Sequence, residues 1–213
     1  MIGVYGGTFD PVHIGHLRTA LDLHETLGLD EVRLIPARLP PHRDRPRAGP
    51  EQRLDLLRAA VDGQPGLVVD DRELSRPGPS YMVDTLRSLR DECGDRPLAL
   101  ILGMDAFLGL DRWHHWQRLF ELAHVLVMRR PGIEPPAQGV LADCLERRRV
   151  GDAAALRAGP AGRILLCEVT PLAISATDIR ERLRQGRSIR YLVPDAVWRK
   201  IHELGLYGPA ENT

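Results

Sequence analysis

A chain of 213 residues with 43% hydrophobic residues is long enough to bury the core of one ordinary domain. It carries 29 Lys and Arg residues and 29 Asp and Glu residues, so its formal net charge of +0 argues against a general electrostatic attraction to nucleic acid or to an anionic membrane. The three cysteines form no CxxC pair, and no apolar run approaches the roughly 20 residues of a membrane helix. We therefore expect a cytoplasmic protein that binds neither nucleic acid nor membrane.

Short apolar runs alternate with segments of helical spacing along the whole chain. The apolar runs predict strands at residues 2–5, 32–35, 67–69, 98–102, 124–128 and 164–169. The helical spacing predicts helices at residues 13–28, 51–62, 80–92, around Trp113 and Trp116, at 176–185 and at 195–204. Residues 36–50 are rich in proline and arginine and predict a long loop, whereas residues 131–161 predict a loop with one helix.

This alternation predicts an α/β fold, a Rossmann-like doubly wound parallel sheet with helices on both faces. We expect one domain over residues 1–213, with a small C-terminal helical lobe over about 171–213. Ligands of such sheets bind beyond the carboxyl ends of the strands. The predicted rim of the site therefore contains residues 6–16, 36–43, 103–105 and 129–130.

The segment GGTFDPVHIGH, at residues 6–16, lies between the first predicted strand and the first predicted helix. Its two leading glycines let the backbone approach a ligand without a Cβ in the way. His13 and His16 are three residues apart and share one face of the first helical turn, where free amides and the helix dipole favour a phosphate chain. The alternatives are two incidental histidines, or a zinc site, for which the sequence offers no clear third and fourth ligand.

The segment ISATDIR, at residues 174–180, follows an apolar strand and begins a helical pattern. Ser175 is a good N-cap, and Asp178 stands at the capping-box position. Arg180 falls within about the first turn, so the helix start offers a hydroxyl and a guanidinium to a triphosphate tail. The alternative is a capped helix without a ligand.

Five further segments place basic, polar or aromatic side chains near the same predicted rim. They are LPPHR at 39–43, SYMVDTL at 80–86, GMD at 103–105, WHHW at 113–116 and RRPG at 129–132. Simpler interpretations stay open for four of them: a solvated basic loop, a helix capped by Ser80 with Thr85 on its surface, an N-cap at Asp105, and a packed pair of Trp113 and Trp116.

These motifs resemble a known family. GGTFDPVHIGH resembles the (H/T)xGH signature of the adenylyltransferase superfamily, and its fuller form GGxFxPxHxGH resembles the nicotinate-nucleotide adenylyltransferase branch. ISATDIR resembles that branch's ISSTxIR, with Ala176 removing one hydroxyl. The PPHR, SYMVDTL, GMD and RPG elements are also similar, as are YLVP and LY within residues 189–194 and 204–207. The resemblance covers nearly the whole chain and is weakest over residues 133–161.

The resemblance implies transfer of AMP from ATP to nicotinate mononucleotide, giving nicotinate adenine dinucleotide and pyrophosphate in NAD biosynthesis. The catalytic residues that it implies are His13, His16 and Arg180. The ATP-binding residues that it implies are Gly7, Thr8, Phe9, His13, His16, Gly103, Asp105, Ser175, Thr177 and Arg180. The residues that it implies for nicotinate mononucleotide are Gly6, Thr8, His42, Arg43, Thr85, Trp116 and Arg130, with the indole of Trp116 stacked on the pyridine ring.

The implied chemistry needs neither a general base nor a resident metal. A phosphomonoester is already largely dianionic at neutral pH, because its second pKa is about 6. No cluster of Asp and Glu forms a metal cage, so Mg²⁺ is expected to be carried by the ATP phosphates. Whether the chain forms a homo-oligomer is left open.

Three other interpretations compete with this one. HIGH at residues 13–16 also occurs in class I aminoacyl-tRNA synthetases, but the short chain has no KMSKS stretch. Pantetheine-phosphate and cytidylyl transferases share the first motif, whereas PPHR, SYMVDTL and YLVP favour the nicotinate branch. A nucleotide sensor without turnover is disfavoured because all the phosphate-contacting groups are present.

Overall fold

The computed structural model describes residues 1–41, 45–129 and 131–208. Within these residues one fully parallel sheet has the strand order β3-β2-β1-β4-β5-β7-β6. Its strands are β1 (Ile2–Gly7), β2 (Glu31–Pro36), β3 (Leu67–Val69), β4 (Leu98–Gly103), β5 (His124–Met128), β6 (Arg149–Val150) and β7 (Ile164–Cys167). The predicted α/β fold and parallel sheet are confirmed.

Helices cover both faces of this sheet. They are α1 (Ile14–Leu27), α2 (Pro50–Val61), α3 (Arg72–Ser75), α4 (Met82–Cys93), α5 (Met104–Phe107), α6 (Leu119–Leu122), α7 (Val140–Arg148), α8 (Ala154–Arg157), α9 (Ala176–Arg184) and α10 (Asp195–Glu203). Two 3₁₀ turns lie at Leu110–Arg112 and Trp116–Arg118. None of the helices described is long and apolar enough to cross a bilayer.

The two faces of the sheet bury two separate hydrophobic clusters because side chains alternate along each strand. In β5, Val125 and Val127 join the cluster that contains α4 and α7, whereas Leu126 and Met128 join the cluster on the opposite face. That opposite cluster contains the apolar positions of α1, α2, α9 and α10. The C-terminal helices therefore pack onto the same layer as the first two helices.

The strand order reverses direction between β1 and β4, which are hydrogen-bonded neighbours with Ile2 beside Leu98. From β1 the chain moves outward through β2 to β3, and from β4 it moves the other way. A crevice opens at the carboxyl ends of strands where the order reverses in this way. The segment 6–16 follows β1 and the segment 103–105 follows β4, so both lie at this point.

The segment around Trp113 and Trp116 differs from the predicted helix. Trp113 ends the first 3₁₀ turn in an extended conformation, with φ −77° and ψ 145°. His115 has a φ of 50°, a left-handed conformation that no continuous helix contains. The two tryptophans therefore do not share one helical face, and the helix prediction is wrong here.

Two short elements were not predicted from the sequence. α3 has four residues, and β6 has two residues that pair with β7 through Arg149 opposite Ile164. Elements this short show no full period of hydrophobic alternation, so tertiary contacts decide them. In residues 131–161 the structure has α7 and α8 where one helix was expected.

Candidate active site

The two histidines of the first motif form a stacked pair at the start of α1. His13 is the N-cap, with an extended backbone at φ −146°, and its ring lies 3.6 Å from the ring of His16 at an angle of 24°. The His13 backbone N–H donates to Nδ1 of His16 over 3.3 Å. Because Nδ1 accepts, the neutral His16 ring carries its proton on Nε2.

Phe9 supports this pair from inside the protein. Its backbone is left-handed, with a φ of 48°, and its buried ring meets the His16 ring edge to face at 5.1 Å. A Cβ at Gly7 would lie 2.9 Å from the Phe9 ring, so the glycine is needed for this close approach. The Phe9 side chain is therefore part of the core, and a contact with ATP is left to its backbone.

The second motif lies beside the first. A Cβ on Gly15 would lie 3.7 Å from Cβ of Ile174, the first residue of ISATDIR. From the following helix, Arg180 donates through Nη1 to the carbonyl oxygen of Asp10 over 2.6 Å. Arg180 and Asp10 are 170 positions apart in the sequence, yet the structure brings the two motifs together at one end of α1.

The start of α9 is capped as the sequence predicts. Ser175 Oγ accepts a hydrogen bond from the backbone N–H of Asp178 over 3.1 Å. The Asp178 carboxylate pairs with Nε of Arg182 at 2.8 Å, and the Thr177 hydroxyl accepts from Nη2 of Arg180 at 3.2 Å. The charge of Asp178 is thus neutralised by Arg182, one turn further along α9. The hydrogen bond to Thr177, in the same helix, orders the Arg180 side chain.

Arg53 is a residue that the sequence analysis missed. It lies in α2 with 0% exposure, and its guanidinium donates to the carbonyl oxygens of Thr8 at 2.7 Å, Ala48 at 3.3 Å and Arg38 at 3.4 Å. Burial lowers its pKa. The signal in the sequence is an arginine next to Leu54, at a position that helical spacing places on the apolar face of α2. Its guanidinium contacts the loop that precedes this helix.

Thr85 is placed inside the protein rather than on the cleft wall. It has 0% exposure, its Oγ1 donates to Oε1 of Glu73 at 2.5 Å, and the same oxygen accepts from Nη2 of Arg76 at 3.0 Å. The single hydroxyl hydrogen is already used, and burial raises the pKa of Glu73. The Thr85 side chain is thus buried among protein groups, and its assignment to nicotinate mononucleotide stays a prediction.

Ser80 does not cap α4 as the sequence suggested. The N-cap is Tyr81, and Ser80 Oγ instead accepts from the backbone N–H groups of Arg38 at 2.9 Å and Leu39 at 3.3 Å. The Ser80 N–H donates in turn to the carbonyl of Leu39 at 3.0 Å. This serine therefore joins the loop after β2 to the beginning of α4.

Aromatic side chains gather near the start of α4. Tyr81 stacks on His114 with ring centroids 4.3 Å apart and 28° between planes. Trp116 is half-buried and meets the ring of Phe120 edge to face at 6.2 Å. Trp113 and Trp116 both pack against the core on this face, so part of each indole is structural.

The remaining predicted residues fall into two groups. Gly103 is the N-cap of α5, so Asp105 is not, and its exposed side chain lies in the first turn instead. His42, Arg43 and Arg130 lie outside the described residues, and their assigned roles stay predictions. Across 1–41, 45–129 and 131–208 there is no group of three His, Cys, Asp or Glu residues that would hold a metal ion.

Comparisons with known proteins agree with this arrangement. A family model described as cytidylyltransferase-like matches residues 4–182. A protein of Methylococcus capsulatus named probable nicotinate-nucleotide adenylyltransferase is 54% identical over 97% of this chain and 99% of its own length. A protein of the same name from Halorhodospira halophila is 56% identical over 97% of this chain and 95% of its own length.

A solved structure gives independent support for the fold. The Plasmodium falciparum nicotinic acid mononucleotide adenylyltransferase complexed with NaAD has a TM-score of 0.73 at 15% identity, over 97% of this chain and 96% of that chain. At this identity the likeness concerns the fold alone. The family match and the close relatives carry the assignment, and by them the chain belongs to the nicotinate-nucleotide adenylyltransferases, within the cytidylyltransferase-like family.

Proposed function

We propose that this chain transfers the adenylyl group of ATP to nicotinate mononucleotide, giving nicotinate adenine dinucleotide and pyrophosphate. The observation that carries the proposal is that the stacked His13–His16 pair and the contact of Arg180 with Asp10 both lie in the first motif, where α1 begins. Donors and a fixed positive charge there suit the phosphate chain of a nucleotide. The names of relatives more than 50% identical support the choice of acceptor.

In the proposed reaction a phosphate oxygen of nicotinate mononucleotide attacks the α-phosphorus of ATP. The bond from that phosphorus to the oxygen bridging the α- and β-phosphates breaks, and pyrophosphate leaves in line with its electron pair. The attacking phosphate needs no base because it is already largely dianionic. What the protein supplies is positioning and stabilisation of charge.

Each group of the site has a task in this scheme. His16 offers the Nε2–H that its backbone contact fixes, and Arg180 offers its guanidinium to the charge that develops on pyrophosphate. Trp116 supplies an indole near the start of α4 for the pyridine ring. Mg²⁺ enters as part of the substrate, on the ATP phosphates.

The proposed partners follow from the proposed reaction, and the proposed compartment follows from the cysteines. ATP and nicotinate mononucleotide are the proposed partners, with no nucleic acid and no membrane. Cys93, Cys144 and Cys167 are all free thiols, which supports a reducing compartment. We place the reaction in the cytoplasm on this ground.

The test is a direct assay with purified protein. ATP, Mg²⁺ and nicotinate mononucleotide are incubated with the chain, and pyrophosphate and nicotinate adenine dinucleotide are both quantified. We expect the two products in equal amounts and a lower kcat/KM with nicotinamide mononucleotide. No product with either acceptor, or pyrophosphate without the dinucleotide, overturns the proposal.

A further inference from the structure

Asp10 is a buried carboxylate at the centre of the first motif. It has 4% exposure and lies three residues before His13. Its Oδ2 accepts from the backbone N–H of Arg47 at 2.9 Å and its Oδ1 from that of Ala48 at 3.1 Å. A buried carboxylate needs such donors, and these two fix it to the chain that precedes α2.

A third donor to Asp10 comes from the C-terminal segment. The hydroxyl of Tyr207 donates to Oδ1 of Asp10 over 2.8 Å, across 197 positions of sequence. Burial, and then the charge of Asp10, raise the pKa of the Tyr207 phenol, so the hydroxyl keeps its proton at neutral pH. The phenol is therefore the donor and the carboxylate the acceptor of this hydrogen bond.

Asp10 also faces Arg180. Nη1 of Arg180 donates to the Asp10 carbonyl at 2.6 Å and lies 3.8 Å from the Asp10 carboxylate. Arg180 thus contacts both the backbone and the charge of one residue, so its guanidinium is held to the segment that leads into His13. The positive charges of Arg53 and, to a smaller extent, Arg180 act on Tyr207 in the opposite direction and lower its pKa.

We propose that Asp10 and Tyr207 are positioning residues for adenylyl transfer: together they form a clasp that holds Arg180 on the first motif, at the residue three positions before His13. The clasp, defined as Asp10, Tyr207 and Arg180, closes the C-terminal segment over the first motif. It rests on the proposed function, because it assigns Arg180 to the triphosphate. Neither Asp10 nor Tyr207 touches the reacting atoms.

The sequence supplies a matched pair of tyrosines for the test. Tyr207 and Tyr191 both lie in the C-terminal segment and both have left-handed backbones, with φ of 64° and 65°. Tyr191 is 82% exposed and lies outside the clasp. Tyr207→Phe removes only the hydroxyl, and Tyr191→Phe removes the same atom from the surface.

With Tyr207→Phe we expect kcat/KM for ATP to fall about three- to tenfold, the range for one lost hydrogen bond. The KM for nicotinate mononucleotide should change less than twofold. Tyr191→Phe should retain the wild-type values for both substrates. An equal rise in the KM values for both substrates, or a Tyr207→Phe variant that behaves as Tyr191→Phe does, overturns the clasp.

A double-mutant cycle separates positioning from general stability. If Tyr207 acts through Arg180, the kinetic effect of Tyr207→Phe should disappear in an Arg180→Lys background, while any fall in thermal midpoint persists. Additive kinetic effects contradict the proposal. The wild-type chain is assayed alongside: if it makes no dinucleotide, the proposed function fails, whereas an active wild type with an unaffected Tyr207→Phe variant rejects the clasp alone.

Discussion

The His16 ring accepts the backbone N–H of His13 at Nδ1 and carries its proton on Nε2. His16→Ala should lower kcat at least about 100-fold, the usual cost of removing one donor that stabilises developing charge. The thermal midpoint should change little in comparison, because the residue is only half-buried. Steady-state kinetics and thermal denaturation of the purified variant check the two expectations.

A second substitution isolates the Nε2 donor. His16→Asn places an amide near the position of Nδ1, where the His13 N–H donates at 3.3 Å, but it has nothing at the position of Nε2. It should therefore fold as the wild type does and still lose turnover. A His16→Asn enzyme with normal turnover would show that the ring donor has no part in the reaction.

Trp116 is the residue on which recognition of the pyridine ring depends. Trp116→Ala should raise the KM for nicotinate mononucleotide roughly tenfold, since stacking on one aromatic ring contributes about 1–3 kcal/mol. The KM for ATP should stay within about twofold. Trp198→Ala, which removes an indole packed on Arg190 in the C-terminal segment, is the control. Equal increases in both KM values would contradict the stacking role.

The role of a single residue could be predicted where a sequence motif contains it, and not where a tertiary contact determines that role. His13, His16 and Arg180 could be proposed because their positions at the starts of two helices are visible in the sequence, and their roles stay predictions. Arg53 and Asp10 were missed because the carbonyl and amide partners that make them structural lie in other elements. The hydrogen bond from Thr85 to Glu73 was not predictable for the same reason, because Glu73 lies in another helix.

At the level of elements, the cap of α9 orders the turn that carries Thr177 and Arg180. Ser175→Ala removes the acceptor for the Asp178 N–H and should destabilise the chain by about 1 kcal/mol. For a protein of this size that corresponds to roughly 2–4 °C in thermal midpoint. The KM for ATP should rise as well, and both effects are measured on one preparation.

Ser75 provides the matched control for this prediction. It is exposed at the end of α3, so Ser75→Ala changes the same atom away from α9. A Ser175→Ala variant with the thermal midpoint of Ser75→Ala would mean that the cap contributes nothing measurable.

The longer elements were predictable because each repeats one periodicity several times. The strand at His124–Met128 and the helix at Ala176–Arg184 were found to within a residue. The segment between Gly109 and Leu119 was not, because the left-handed His115 and the stacking of His114 on Tyr81 interrupt it. Neither feature has a periodic signal in the sequence.

Across the whole molecule, arginines connect segments that are distant along the chain. Arg157 donates to the carbonyl of Leu27 at 2.8 Å, and Arg90 donates to that of Pro160 at 3.0 Å. Among the 29 basic residues only Lys200 is a lysine, and the planar arginine fork reaches several carbonyls at once. The composition shows that arginines are abundant, but only the fold shows which carbonyl oxygens their guanidinium groups contact.

His124 ties the same distant segments to the sheet and makes stability depend on pH. It has 1% exposure, its Nδ1 accepts from the N–H of Arg163 at 3.1 Å, and its Nε2 lies 2.9 Å from the carbonyl of Gly159. These partners suit the neutral ring, and burial lowers its pKa below the ordinary 6.5. His124 therefore binds a proton less readily in the folded state than in the unfolded state.

The sign of the pH effect follows from this difference. As pH falls through about 6.5 the unfolded chain binds a proton at His124 that the folded chain does not, so the free energy of unfolding decreases. The wild-type thermal midpoint should fall more steeply between about pH 7.5 and 5.5 than that of His124→Gln, whatever their absolute values. His202→Gln, at an exposed site in α10, should keep the wild-type slope. If His124→Gln also keeps it, the buried imidazole is not the group whose protonation destabilises the fold.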